Sequence, residues 1–163
     1  MSKTIEMVNG FTAIVDDEDY NRVKDIRWYA HKGKYAYNTK HGFLHRLIMN
    51  VTDGNLFVDH INHDTFDNRR SNLRVVTKQQ NAFNKVAHVK SSTGFKGVQA
   101  DRRFSKRLKK YTYKYKTCLY LNGKRHYFGT FSTPIEAARR YNEIAPLYFG
   151  EYAYLNDLVE ATM

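Results

Sequence analysis

The sequence predicts an α+β protein of two small modules. The first is a strand–loop–strand–helix unit preceded by a β-rich extension. The second is a three-stranded antiparallel sheet packed on one helix. Three observations carry this reading. Short alternating apolar runs are separated by Asn-Gly and Lys-Gly turn signals. Two Thr-x-x-Gln/Glu capping boxes mark helix starts at Thr77 and Thr133. The composition shifts near Val86–Gly94, a polar stretch ending in Ser, Thr and Gly that reads as a linker. The expected domains are therefore residues 1–90 and 91–163.

In the first module, residues 4–8 and 11–15 read as strands around Asn9-Gly10. The acidic run Asp16-Asp17-Glu18-Asp19 opens a helix, since carboxylates favour a helix N-terminus. Residues 26–30 and 35–38 suggest a second hairpin across Lys32-Gly33, and residues 45–49 a short helix. Residues 56–60 read as a strand running into a polar loop, residues 72–76 as its partner, and Thr77 to Gln80 as the next helix start.

In the second module, residues 94–100 and 113–121 read as strands, and residues 124–131 follow the Asn122-Gly123 turn. Thr133-Pro134-Ile135-Glu136 opens a helix with proline at its first position. Ile135, Ala138, Tyr141, Ala145 and Tyr148 recur at helical spacing as an apolar stripe, which is core rather than a cofactor site.

Composition bounds the function. With 42% apolar residues the 163-residue chain can bury a core, and no apolar run is long enough to cross a bilayer, so no membrane partner is expected. The N-terminus has no signal-peptide-like segment, and Cys118 is the only cysteine, which excludes an internal disulfide and a multi-cysteine zinc site. Both features suit a reducing, cytoplasmic setting.

The formal net charge of +11 points to a polyanionic partner. Residues 1–90 carry 14 basic and 10 acidic groups, residues 91–163 carry 13 and 6, and no Asp or Glu lies between Arg102 and Arg125. Tyrosines are interleaved with the cations of this run, which joins apolar contact to phosphate neutralisation.

The densest chemical constellation is Asp59-His60-Ile61-Asn62-His63-Asp64, followed by Asp67-Asn68-Arg69-Arg70-Ser71-Asn72-Leu73-Arg74, with Asn81 and Asn84 sharing a face of the next helix. A carboxylate and an amide carbonyl are hard oxygen donors for Mg²⁺ or Mn²⁺. An adjacent histidine can deprotonate a water that attacks a phosphodiester. Strand neighbours point to opposite faces, so the strand is expected to end or bend at Asp59-His60.

Val58-Asp59-His60-Ile61-Asn62, with Asn72 and Asn81 downstream, resembles the HNH endonucleases of the phage homing type. The resemblance implies a ββα-metal fold, with His60 as general base, Asp59 and Asn81 holding a divalent metal, and Asn72 pinning the loop between the strands. Asn81 stands where other members have histidine, which keeps an oxygen ligand for a hard ion and disfavours a colicin-type zinc site. His63 and Asn84 are further active-site candidates.

Residues 94–157 resemble the APETALA2/ethylene-response-type DNA-binding domain through Gly94-Phe95-Lys96-Gly97-Val98, Phe128-Gly129-Thr130-Phe131, Glu136-Ala137-Ala138 and Tyr154-Leu155-Asn156. That implies a sheet laid in the major groove of double-stranded DNA. Tyr115, Thr117 and Leu119 would face the helix, leaving Lys114, Lys116 and Tyr120 toward DNA. Lys96, Arg102, Arg103, Arg125 and Tyr127 are further candidate contacts. The stretch from Arg103 to Tyr113 is longer and more basic than the first hairpin usual in that family.

The function expected is metal-dependent hydrolysis of DNA by a monomer or homodimer, nicking one strand, in a bacterial host cytoplasm if phage-encoded. A non-catalytic DNA-binding regulator that retains the nuclease fold is the alternative, and an RNA-directed protein is a third.

Overall fold

The computed structural model describes residues 1–86 and 91–158. Residues 87–90 of the expected linker lie outside the described residues. The chain divides into two compact units, Met1–Ala82 and Phe83–Met163.

The first unit opens with a hairpin of β1 (Ser2–Glu6) and β2 (Thr12–Asp16), turned at Asn9-Gly10, where Gly10 takes φ +82. Helix α1 (Asp17–Val23) follows at once, with Asp17, Glu18 and Asp19 in its first turn. A meander of β3 (Tyr29–His31), β4 (Tyr35–Asn38) and β5 (Gly42–Phe43) leads into α2 (Leu44–Ile48). Strand β6 (Leu56–His60) then pairs antiparallel with β7 (Leu73–Thr77), and α3 (Lys78–Asn84) begins at the Thr77–Gln80 capping box.

The core of this unit is drawn from all of these pieces. Ile5, Met7, Ala13, Val15, Val23, Trp28, Ala30, Ala36, Leu44, Ile48 and Leu73 form one buried cluster, with Val58 and Phe66 packed against it. Trp28 is fully buried, and its indole N–H donates to Val23 O at 2.9 Å, so its one polar atom is satisfied. The β-rich extension and the β6–β7 hairpin thus share one apolar interior.

In the second unit β8 (Val98–Ser105), β9 (Lys110–Leu121) and β10 (Lys124–Phe131) form an antiparallel sheet in the order β10-β9-β8. Helix α4 (Pro134–Phe149) packs on one face and carries a complete capping box between Thr133 and Glu136. Leu119, Tyr141, Ile144, Ala145 and Phe149 make the core.

Two expectations are corrected here. The first strand of the sheet starts at Val98 rather than Gly94, because Gly97 takes φ +71 and turns the chain. The buried helix stripe passes through Ala138, Tyr141, Ala145 and Phe149, and Tyr148 is exposed. Eleven residues on from Ala138 is closer to three whole turns of a 3.6-residue helix than ten. Among the described residues no helix is long and apolar enough to cross a membrane.

Candidate active site and nucleic-acid face

Strand β6 ends at His60, whose partner Leu73 begins β7, so residues 61–72 form the loop that closes the hairpin. Polar groups inside this loop satisfy one another. Asn72 is buried and spans it: the side-chain N–H donates to Asp67 O at 2.8 Å, Oδ1 accepts from Asn62 N at 3.0 Å, and its own carbonyl accepts from Ile61 N at 2.9 Å. Asn62 Nδ2 donates to Asp67 Oδ2 at 3.1 Å, and Arg69 caps the Asp67 carboxylate with two bonds of 2.7 and 2.6 Å. That guanidinium holds the Asp67 carboxyl below the ordinary carboxylate range.

The loop is tied to the N-terminal elements. Ile14 N donates to Phe66 O at 2.8 Å and Asn68 N donates to Ile14 O at 2.7 Å. Arg70 donates from its backbone to Asp16 Oδ2 at 2.7 Å and from its guanidinium to buried Asp19 at 2.7 and 2.8 Å. A buried network with every member paired is rigid, which suits a site that must hold reacting groups in place.

His60 is only 4% exposed. Its Nε2 lies 3.4 Å from Asn68 Oδ1, and the ring is flanked by Tyr35 at 6.1 Å and, edge-on, by His45 at 5.1 Å between centroids. Burial pushes the His60 imidazole below its usual pKa, partly offset by Asn68 and by the carboxylates of Asp59, Asp64 and Asp67. His45 is held neutral more strongly still, down to about 3, by burial first and then by His60 and Arg46. Among the described residues its buried Nδ1 has no hydrogen-bond partner.

The sequence does not single out His45. A lone histidine carries no spacing signal, and only the return of α2 against the end of β6 brings the two rings together.

Asp59 and His60 alternate along β6. The Asp59 carboxylate accepts from Arg74 Nε and Nη2 at 3.0 and 2.9 Å, across the ladder position that pairs the two residues. Both side chains are largely buried, at 11% and 13% exposed. Asn81 is half-buried on α3, and Asn84 is buried in the second unit's share of that helix. His63 is exposed with φ +67, and its N–H donates to His60 O at 3.2 Å.

The donor set fits a hard divalent ion. It offers a carboxylate on Asp59 and an amide oxygen on Asn81, with no cysteine in the unit. One or two protein oxygens with water and phosphate completing the shell is the usual way Mg²⁺ is held.

In the second unit, strand alternation sorts the basic residues by face. Thr117 points to the helix and donates to Ala137 O at 2.7 Å, and Leu119 is buried on the same side. The opposite, open face carries Gln99, Asp101, Arg103, Lys114, Lys116, Arg125 and Tyr127, as the ladder pairings place them.

Asp101 pairs with Lys116 and Arg103, both at 2.9 Å, and Arg125 Nη1 donates to Gln99 Oε1 at 3.0 Å. Tyr127 is 55% exposed and lies under the Lys116 ammonium.

Two candidates are placed elsewhere. Arg102 lies on the helix side of the sheet, opposite Tyr113 in the ladder and 3.6 Å over the Tyr111 ring, because adjacent strand residues face opposite ways. Lys96 turns inward: its ammonium bonds to Phe83 O and lies over the Tyr154 ring, and burial pulls it down to about 8.

Comparison with known proteins bears on this site directly. Residues 43–83, which include the β6–β7 hairpin and its loop, match the HNH endonuclease family. No solved structure matches the chain. An HNH endonuclease of Acanthamoeba polyphaga mimivirus, itself uncharacterised, is 34% identical over 156 residues, a match covering 91% of this chain and 76% of that protein. The likeness therefore runs well beyond the hairpin, and the chain belongs to the HNH endonuclease family: it is a nuclease.

Proposed function

We propose that the protein is a metal-dependent DNA endonuclease in which His60 is the general base, Asp59 and Asn81 hold a divalent ion, and the second unit binds duplex DNA. The observation that carries this reading is the setting of His60. It is a buried imidazole at the end of β6, beside a carboxylate, at the edge of a loop braced by Asn72.

His60 accepts a proton from water as the water oxygen attacks the phosphorus. The bond to the 3′ oxygen breaks and that oxygen takes a proton from solvent, leaving a 5′ phosphate and a 3′ hydroxyl. Arg74 aims the Asp59 carboxylate, and Asn72 fixes the loop on which the histidine depends. A bound Mg²⁺ or Mn²⁺ supplies Lewis-acid stabilisation of the charge that develops on the phosphate and the leaving oxygen.

The open sheet face of the second unit, with Arg103, Lys114, Lys116, Arg125 and Tyr127, supplies the duplex contact in the manner of the APETALA2-type domain it resembles. A single site cuts one strand, so the expected product is a nick.

Supercoiled plasmid incubated with Mg²⁺, Mn²⁺ or EDTA tests the reading. Metal-dependent conversion to open circles, lost in His60→Ala with DNA binding retained, is the expected result. Tight binding without cleavage on plasmids that carry and lack a homing site would instead identify a DNA-binding regulator.

A further inference from the structure

We propose that the outer end of the β8–β9 hairpin is a platform for single-stranded DNA, on which Phe104, Tyr111 and Tyr113 stack with unpaired bases while the neighbouring cations hold the phosphates. The proposal rests on the reading of DNA as substrate and concerns the sheet face opposite the one assigned to the duplex. It is carried by the way the cover of α4 runs out along that face.

Alternate residues of β9 face α4, and they pass from buried to exposed along the strand. Leu119 and Thr117 are 2% and 0% exposed, Tyr115 is half-buried, and Tyr113 and Tyr111 are 50% and 53% exposed. The same gradient runs along β8. Ala100 is half-buried opposite Tyr115, Arg102 is exposed opposite Tyr113, and Phe104 is 55% exposed opposite Tyr111. Residues 102–105 and 110–113 thus form a two-stranded ribbon about 13 Å long, at ~3.3 Å per residue, that the helix leaves uncovered.

An uncovered ribbon face is ordinarily polar, and this one is aromatic. Phe104 and Tyr111 meet edge to face with centroids 5.3 Å apart, and the Arg102 guanidinium lies 3.6 Å over the Tyr111 ring. Such cross-strand contact steadies the ribbon, yet about half of each aromatic side chain still meets solvent.

Charge selects the occupant. The turn joining the strands holds Lys106, Arg107 and Lys109, and no Asp or Glu lies between Arg102 and Arg125, so the ribbon suits a polyanion. An acidic peptide would engage the cations and leave the rings idle. In a duplex the bases are already stacked on one another, so an unpaired strand is the polyanion that offers π-faces as well as phosphates. In a nuclease that nicks, the cut strand frays at its ends and supplies such a partner.

The test is fluorescence anisotropy of the full chain in EDTA, which suppresses cleavage, with labelled oligothymidylate, an abasic strand of equal length and phosphate count, and a blunt duplex. Wild type should hold oligothymidylate roughly ten- to hundredfold more tightly than the abasic strand. The double variant Phe104→Leu with Tyr111→Leu keeps apolar side chains on the ribbon but removes both π-faces. It should lose that preference while the salt slope and the affinity for the duplex stay unchanged, since no cation is removed.

Equal wild-type affinity for the two strands overturns the proposal, as does a folded double variant that retains the preference. An equal loss on single strand and duplex also overturns it, identifying an arm that grips the duplex. Should the double variant fail to fold, photocrosslinking of wild type to a strand carrying 5-iodouracil decides: attachment at Phe104, Tyr111 or Tyr113 is expected, and attachment only outside residues 102–113 overturns the platform. Duplex binding by the open face is read separately through Arg125→Ala, so the two assignments fail independently.

Discussion

The loop between β6 and β7 and the open face of the second sheet are both rich in polar residues, and they use them in opposite ways. In the loop, Asn62, Asp67, Asn68 and Asn72 bond to one another and to the backbone, three of them buried. On the sheet, Arg103, Arg125 and Tyr127 remain exposed, and the partners they have are single side chains such as Asp101 and Gln99. Chemistry on a bond demands groups fixed to within fractions of an ångström, whereas adhesion to a polyanion demands charge within reach. The first region is thus expected to be intolerant of single changes and the second to degrade gradually.

The largest effect that would sharpen this contrast is His60→Ala, expected to lower cleavage by roughly 10²–10⁴ in single-turnover assays while a gel-shift assay finds duplex affinity unchanged. Next is Asn72→Ala. It strands Asp67 O and Asn62 N inside the loop, and thermal melting should show a loss of about 2–4 kcal/mol. A loss below about 0.5 kcal/mol would break the comparison, since the loop would then be as forgiving as a surface.

Smaller per pH unit is the dependence contributed by His45. Its folded-state value of about 3 lies below the ordinary 6.5, so between these values the unfolded chain binds the extra proton. Stability is therefore greatest above about 6.5 and falls as pH drops toward 3, by at most about 1.4 kcal/mol per pH unit. His45→Phe should flatten that slope in denaturant titrations, and an unchanged slope would remove His45 as its source.

The smallest effect is Arg125→Ala or Lys114→Ala. Each should weaken duplex binding severalfold, reduce the slope of log K against log salt by about 1, and leave the rate at saturating DNA alone.

The fold was legible where local chemistry decides it. The apolar run ending at His60 forms β6 with the expected limits, Lys124–Phe131 forms β10 likewise, and both capping boxes start helices. Strand β8 was less so. Its second half, Arg102-Arg103-Phe104-Ser105, has the composition of a loop, and pairing with β9 rather than intrinsic preference makes it a strand. The separation of Arg102 from Arg103 follows from that pairing, because a basic pair read as one patch is split once the residues lie in a ladder.

Near the site, Asp59, His60 and Asn72 stand out as a spaced motif. His45 and Asn68 do not, since their parts come from α2 and from the docking of residues 66–68 on β2, contacts between segments far apart in the chain.

Leu73 limits how the β6–β7 hairpin can be handled. It opens β7, and it is also a member of the interior built by Ile5, Ala13, Val15 and Trp28. The segment that matches the family, residues 43–83, is therefore not a transplantable cassette. Grafted onto another scaffold it would arrive with an oily flank and no surface to set it against. The compact unit that holds this interior is Met1–Ala82, and an engineer wishing to retune the loop has a handle in β2, remote in sequence yet hydrogen-bonded to the residues beside His60.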